Sequence, residues 1–317
     1  MTVRQDTAAP VAPRLPPAAP VEEEGRVLGI LLVLLAGVFW STSGLFVRAM
    51  EEADAWQLLF YRSISVVVCA SAFMFWRRRG RFLSDLREGL GAAMLGGFFL
   101  MIASAGFVFA LFHTSVANAV FMLATGPFMT AVLARILLKE AIRPATWVTM
   151  VIAGGGVAYM VGGALGEGRW LGNLLAFFSI IGFACYAVLL RAVSTRHRHR
   201  ETLPFVVFGG LWTALIAFLL LDDFRVPVND LALCLTMGAV QIVFGMILFL
   251  KGASRVSAAE LALLSMTEVV LSPFWVWLAF SEVPARETLI GGTIVMLAVM
   301  FRAVSGLRRR PTTLKPV

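Results

Sequence analysis

The sequence predicts an all-α integral membrane protein with ten transmembrane helices arranged as two inverted five-helix repeats. Three observations predict this fold class: ten long apolar segments, basic residues concentrated in alternate connecting segments, and a similarity between the two halves of the chain. Hydrophobic residues make up 59% of the 317 positions, whereas soluble domains contain about 45–50%. Because the apolar runs are continuous and not short and alternating, they indicate helices and not a β-barrel.

Residues 1–26 combine proline, alanine and charge, and predict a disordered cytoplasmic tail without a cleavable signal peptide. Ten segments follow, each near the 17–25 residues that a spanning helix needs. The predicted spans are Val27–Val47, Trp56–Trp76, Gly89–Phe109, Ser115–Leu137, Ala145–Gly163, Trp170–Val193, Pro204–Leu221, Leu231–Leu250, Ser257–Phe280 and Thr288–Ser305. Residues 307–317 form a basic tail, which we also expect in the cytoplasm.

The basic residues predict the orientation. If the N-terminus is inside, the inner segments hold 22 of the 27 Lys and Arg residues and the outer segments hold four, with Arg62 inside the second span. Such a bias predicts that both termini face the cytoplasm and that the protein crosses the inner (plasma) membrane many times. It also supports an even number of spans.

The two halves resemble each other at a shift of about 142–143 residues. The matched pairs are Leu28-Gly29 with Leu171-Gly172, Val47-Arg48-Ala49 with Leu190-Arg191-Ala192, Ser115-Val116-Ala117-Asn118 with Ser257-Ala258-Ala259-Glu260, Thr125 with Thr267, and Glu140 with Glu282. This predicts a first repeat over residues 27–166 and a second over 167–306. Because five spans is an odd number, the second repeat is inserted upside down, as in many secondary transporters.

Several other functions lack the residue pattern they would need. The basic residues cluster in short segments between the apolar runs and form no face or stripe for nucleic acid. Cys69, Cys185 and Cys234 lie within apolar runs without the spacing of a redox or zinc site, so no metal is predicted. No glycine cluster is followed by the lysine of a phosphate-binding loop, and no cofactor is predicted.

Glu268 is the most informative single residue. A carboxylate at the centre of a spanning helix costs roughly 2.5–3.5 kcal/mol and normally faces a wet cavity or a partner. Pro273 and Trp275 follow it, and we expect the proline to break the helix. The first repeat has Gly126, followed by Pro127, at the equivalent depth. The alternative is that Glu268 is a hydrogen-bonded or neutralised packing residue.

Further candidates for the substrate path lie on other spans. Trp40 and Ser43 share a face of the first span, although Trp40 could instead belong to the interfacial aromatic belt. Arg62 could pair with Glu268 or with an anionic group of a substrate, and its alternative is a side chain that reaches the outer interface. Gln241 and Tyr186 are predicted polar lining.

Asn118 and the equivalent Glu260 lie near opposite membrane faces. They could contribute to outer and inner gates, and the favoured alternative is that both satisfy helix ends.

Four motifs, together with Arg62 in the second span, carry a resemblance to a known family. The motifs are Phe39-Trp40-Ser41-Thr42-Ser43-Gly44, Ala124-Thr125-Gly126-Pro127, Leu138-Lys139-Glu140 and Phe280-Ser281-Glu282. From Val27 to Ser305 the chain resembles the EamA family of the drug/metabolite transporter superfamily. The resemblance implies a ten-helix bundle with a central cavity and small metabolites as cargo. One departure is Thr267-Glu268-Val269, where many members have proline directly after the acid.

The prediction for function is therefore a secondary-active transporter of small, amino-acid-like metabolites, in the export direction, that works by alternating access. Glu268 either binds a proton exchanged against substrate or balances a cationic group of the substrate. The alternatives are an integral membrane enzyme, for which no nucleophile, base or metal cluster is found, and a non-transporting scaffold. The pattern leaves monomer and homodimer open.

Overall fold

The computed structural model describes residues 23–78, 89–139, 142, 144–165, 170–196, 203–256, 260–261 and 264–307. Every regular element within these ranges is helical, in agreement with the predicted fold class. The helices are α1 Glu23–Ser41, α2 Ser43–Ala49, α3 Ala55–Arg78, α4 Leu90–His113, α5 Val116–Leu123, α6 Gly126–Leu137, α7 Pro144–Leu165, α8 Trp170–Arg196, α9 Leu203–Leu220, α10 Val228–Thr236, α11 Gly245–Ala253, α12 Met266–Phe280 and α13 Arg286–Leu307. A π-helical segment, Met237–Phe244, joins α10 to α11.

Eight helical segments are long and apolar enough to cross a membrane, where the sequence predicts ten spans. They are Gly25–Ala49, Ala55–Arg77, Leu90–His113, Val116–Leu137, Pro144–Gly162, Trp170–Val193, Leu203–Leu220 and Val228–Ala253. The ninth predicted span is represented by α12, whose 15 residues extend about 22 Å and fall short of an apolar core about 30 Å thick. The tenth is represented by the 22 residues of α13.

Two predicted terminal segments fall largely outside the described residues, namely 1–22 of the first tail and 308–317 of the last. The helix α1 begins at Glu23, within the segment predicted as a tail.

Several spans are interrupted near their middle. The first span turns at Thr42, and the fourth turns at Ala124 and Thr125, directly before Pro127 in the first turn of α6. A turn at Ser265 precedes α12, whereas the helix continues through Pro273. The ninth predicted span is therefore interrupted at Ser265, before Glu268, and not at Pro273, where we expected the break. A proline removes a single main-chain hydrogen bond, and a helix that packs against others in a bundle tolerates this loss.

Small residues allow the helices to pack closely, while large apolar side chains point outward. The extensive pairings join α4 with α8 and α9, α7 with α13, α3 with α9, and α1 with α11. Leu31, Phe75 and Val151 are 57%, 60% and 73% exposed on the outside of the bundle. Such surfaces suit contact with lipid chains, because tight interfaces in membranes depend on small residues and not on the hydrophobic effect.

Gly97 marks one of these tight interfaces, between α4 and α9. A methyl group at Gly97 would lie 2.6 Å from Phe208 Cβ and 2.7 Å from the Gly209 backbone nitrogen. We expect Gly97→Ala to lower the free energy of unfolding by about 1–3 kcal/mol, because a backbone cannot move aside as a side chain can. Thermal unfolding in detergent measures the effect, and Gly154→Ala is the control, since nothing lies within 4 Å of a methyl group there. Equal melting temperatures for the two variants would contradict this account of the interface.

Candidate functional site

Glu268 lies in the first turn of α12 and is partly buried. The helix packs there against α1, where a methyl group at Gly37 would lie 3.2 Å from Thr267 Cβ and 3.7 Å from the Glu268 nitrogen. No hydrogen bond or ion pair joins the Glu268 carboxylate to any residue in the described ranges. A negative charge in the first turn of a helix is favoured by the helix dipole. The carboxylate is thus held at a helix start inside the bundle, without a partner among the described residues.

The break in the first span gathers four predicted residues, which we call the first-span cluster: Trp40, Ser43, Gln241 and Trp275. Gln241 Nε2 donates to the Trp40 carbonyl oxygen at 3.1 Å and to Ser43 Oγ. Trp275 Nε1 donates to Ser41 Oγ at 2.9 Å. The structure therefore brings the first, eighth and ninth predicted spans together at one point.

Hydroxyl groups stabilise the break itself. Ser41, Thr42 and Ser43 donate to the carbonyl oxygens three residues before them, at 2.7, 2.6 and 2.7 Å. Such bonds compete with the regular helix ladder and favour bends. The local sequence Ser41-Thr42-Ser43 accounts for a turn that hydropathy does not reveal.

The π-helical segment is a structural feature of the candidate site that we did not predict from the sequence. It carries Gln241, and it packs against the second span through Gly238, where a methyl group would lie 2.5 Å from Ser65 Cβ. Short π-helical stretches are rare and are frequently found at functional sites. A single glutamine inside an apolar span was the available signal.

Gln241→Leu tests whether these hydrogen bonds hold the cluster together. Gln241 is 3% exposed and donates two hydrogen bonds, so we expect leucine to lower the free energy of unfolding by about 1–3 kcal/mol. Ser43→Ala keeps the bond from Gln241 Nε2 to the Trp40 carbonyl but removes both bonds of the Ser43 hydroxyl, so we expect a loss of similar size. Thermal unfolding of both variants measures the losses, and an unchanged melting temperature for Gln241→Leu would contradict the expectation.

Arg62 lies within α3 and does not pair with Glu268, contrary to one sequence-based expectation. It is 5% exposed, so it does not reach the membrane interface either. Nη2 donates to Ser104 Oγ, while Nε is buried without a partner among the described residues. The ion pairs between described residues join Arg26 with Glu260 and Arg48 with Glu282, and neither pair includes Arg62 or Glu268.

Asn118 and Tyr186 lie apart from the first-span cluster. Asn118 Nδ2 donates to Thr114 Oγ1 at 3.1 Å and to Asn173 Oδ1, which joins the fourth predicted span to the sixth. The ring of Tyr186 packs against Phe205, with centroids 6.0 Å apart. Among the described residues, no three His, Cys, Asp or Glu side chains are grouped so that they could hold a metal ion.

Comparison with known proteins identifies the family. The sequence model of the EamA-like transporter family matches residues 27–162 and 170–303. The pseudopaline exporter CntI of Pseudomonas aeruginosa is 26% identical over 275 residues, which cover 85% of this chain and 94% of that protein. Human solute carrier family 35 member G1 is 24% identical over 311 residues, 92% of this chain and 82% of the relative.

A solved crystal structure has the same fold. It aligns with a TM-score of 0.62 at 19% identity and covers 90% of this chain and 98% of its own. The family resemblance predicted from the sequence motifs is confirmed, and the related proteins are transporters and not enzymes. The chain belongs to the EamA-like transporter family.

Proposed function

We propose that this protein is a secondary-active transporter that exports small, amino-acid-like metabolites across the inner membrane by alternating access. The observation that carries the proposal is the Glu268 carboxylate, which has no hydrogen bond or ion pair with a described residue and lies at a helix start beside the broken first span. A carboxylate in such surroundings is costly unless a ligand, water or a proton compensates it. The name of CntI as an exporter supports the direction of transport.

The architecture we propose has ten spans, with α12 and α13 contributing the ninth and tenth, in two inverted repeats over 27–166 and 167–306. Contacts in the two halves correspond under the shift of 142–143 residues, within one residue. The corresponding contacts are Gly29–Arg255 with Gly172–His113, Trp40–Gly245 with Gly182–Ala103, and Arg62–Gly238 with Phe205–Gly96, while Val67–Gly210 corresponds to itself. Such exchange of contacts is what a two-fold axis between repeats would produce, and the two family matches support the same division.

The repeats differ in chemistry at the proposed substrate path. The shift relates Arg62 to Phe205, Gln241 to Phe99, and Glu268 to Gly126. At each of these positions one repeat has a polar or charged side chain where the other has an aromatic ring or no side chain. The polar member belongs to the first repeat at Arg62 and to the second repeat at Gln241 and Glu268. A symmetric scaffold would be able to rock while a single asymmetric site binds cargo.

Glu268 is the proposed coupling residue, and it either exchanges a proton against the substrate or balances a substrate cation. The first-span cluster and Arg62 would contribute to the substrate path. Asn118, at the outer end of the fourth span, and Tyr186, in the sixth span, lie apart from this cluster and would line other parts of the substrate path. The Lys and Arg bias supports cytoplasmic termini.

Mass spectrometry of the growth medium tests the proposal. A bacterial host expresses the wild-type chain or Glu268→Gln, and the medium is searched without bias for small molecules. We expect a set of compounds, the cargo set, that accumulates outside cells with the wild-type chain and not outside cells with an empty vector, and we expect Glu268→Gln to export these compounds poorly. An empty cargo set at equal expression would favour a non-transporting scaffold and contradict the proposal.

A further inference from the structure

Arg62 is a charged side chain in a buried position with most of its hydrogen-bonding capacity unused. A guanidinium has five N–H donors, and Arg62 uses one nitrogen for Ser104 Oγ. Nε has no partner among the described residues although it is buried. No carboxylate of the described chain forms an ion pair with the guanidinium.

An unpaired guanidinium in this position is costly. Arginine stays protonated in proteins, so it cannot avoid the cost by losing its proton. Charged groups within spans normally pair with each other, with carbonyl groups or with a ligand, and they mark transport paths. The described residues therefore leave the charge of Arg62 without an opposite charge.

The second half of the chain supplies an internal comparison, because Phe205 occupies the position related to Arg62. The ring of Phe205 lies against Gly96, whereas it is the backbone carbonyl of Arg62 that lies against Gly238, and Phe205 is 2% exposed. Neither of the two related helix contacts involves a charged side chain. The contact between these spans does not require arginine, and the charge needs another explanation.

The position of Arg62 relative to the first-span cluster suggests that explanation. Gly238, which packs against Arg62, and Gln241, which bonds to Trp40 and Ser43, lie three residues apart in the π-helical segment. The helix α3, which carries Arg62, and the broken first span therefore approach the same short stretch of helix from two sides.

We propose that the Arg62 guanidinium is the anion subsite of the transport path and binds a carboxylate of the transported molecule. The planar fork of a guanidinium matches the two oxygens of a carboxylate. With Glu268 as a separate site of opposite charge, the preferred cargo carries a carboxylate and an amino group. This inference rests on the proposed transport function, and it adds the chemical group that Arg62 recognises.

The cargo set and its dependence on Arg62 test the inference. In the medium experiment we expect compounds with a carboxylate to dominate the cargo set, and Arg62→Phe to abolish their export. Because phenylalanine occupies the related position, Arg62→Phe should fold and elute as a single species at wild-type yield. Arg62→Lys keeps the charge without the fork, and in proteoliposomes it should raise the KM for a cargo acid roughly 10-fold. If Arg62→Phe does not fold, the KM of Arg62→Lys for a cargo acid tests the inference instead, and an unchanged KM contradicts it.

Arg225→Gln is the control for charge, because it removes one cation from an exposed connecting segment. It should export like the wild type. Three results would overturn the inference while leaving transport intact. The first is a cargo set without carboxylates, and the second is unchanged export by Arg62→Phe. The third is that chloride alone stabilises the wild-type protein while Arg62→Lys has an unchanged KM for a cargo acid. An empty cargo set would overturn the proposed function and this inference together.

Discussion

Glu268→Gln should reduce transport of the cargo set by roughly 100-fold while leaving the fold intact. Glutamine has the shape of glutamate and lacks its charge. A lost charge interaction of about 3 kcal/mol corresponds to a factor of that size. Because the Glu268 carboxylate has no hydrogen bond or ion pair with a described residue, the substitution removes no such contact. The melting temperature should stay the same or rise, since an unpaired charge inside a bundle is costly.

Flux into proteoliposomes under an imposed pH gradient measures this effect and separates the two proposed roles of Glu268. If the carboxylate carries a proton, Glu268→Gln should abolish the acceleration by the gradient. If it balances a substrate cation, the variant should raise KM, and the remaining flux should keep its response to the gradient. Glu52→Gln is the matched control, because Glu52 is exposed and only its backbone nitrogen bonds to Asp230. Transport by Glu268→Gln at the wild-type rate, with wild-type pH dependence, would rule out a role in coupling.

Hydropathy predicted the helical class because each span is a continuous apolar run, and the first eight predicted spans all appear as candidate spans. It could not predict where a span is interrupted. The turns at Thr42 and Ser265 lie beside serine and threonine residues, which also occur within regular spanning helices, and the π-helical segment lies in an apolar stretch. They depend on hydroxyl back-bonds and on neighbouring helices, and these contacts have no periodic signal in one chain. Proline was the residue from which the sequence predicted a helix break, and at Pro273 that prediction was wrong, because the helix continues through it.

Candidate residues were recognisable because a polar group in an apolar span is rare, and this rule found Gln241, Arg62 and Glu268. Their partners were not predictable, because they come from positions distant in the chain. Gln241 bonds to Ser43 and the Trp40 carbonyl, and Arg62 bonds to Ser104 and not to Glu268. Ser104 is one of many serines in the sequence, and only its contact with Arg62 distinguishes it.

The second large effect is expected at the ion pair between Arg48 and Glu282, which ties α2 to the segment that joins α12 to α13. Arg48 Nε donates to Glu282 Oε2 at 2.7 Å, and its other nitrogens donate to the carbonyl oxygens of Leu111 at 2.7 Å and Thr114 at 3.1 Å. Glu282 Oε1 also accepts from the Val116 nitrogen at 3.1 Å. One arginine thus joins the ends of three helical segments.

Arg48→Gln should lower the free energy of unfolding by about 1–3 kcal/mol, because it removes the ion pair and leaves two carbonyl groups without their donors. The two side chains are 27% and 25% exposed, so we expect less than the 3–5 kcal/mol typical of a fully buried pair. Glu282→Gln keeps an acceptor for the Val116 nitrogen and should cost less.

Thermal unfolding of both single variants and of the double variant gives the coupling energy of the pair. Because each single variant already breaks the ion pair, the double variant should lose less than the two single losses combined. Strict additivity would mean that Arg48 acts through the Leu111 and Thr114 carbonyls and not through Glu282.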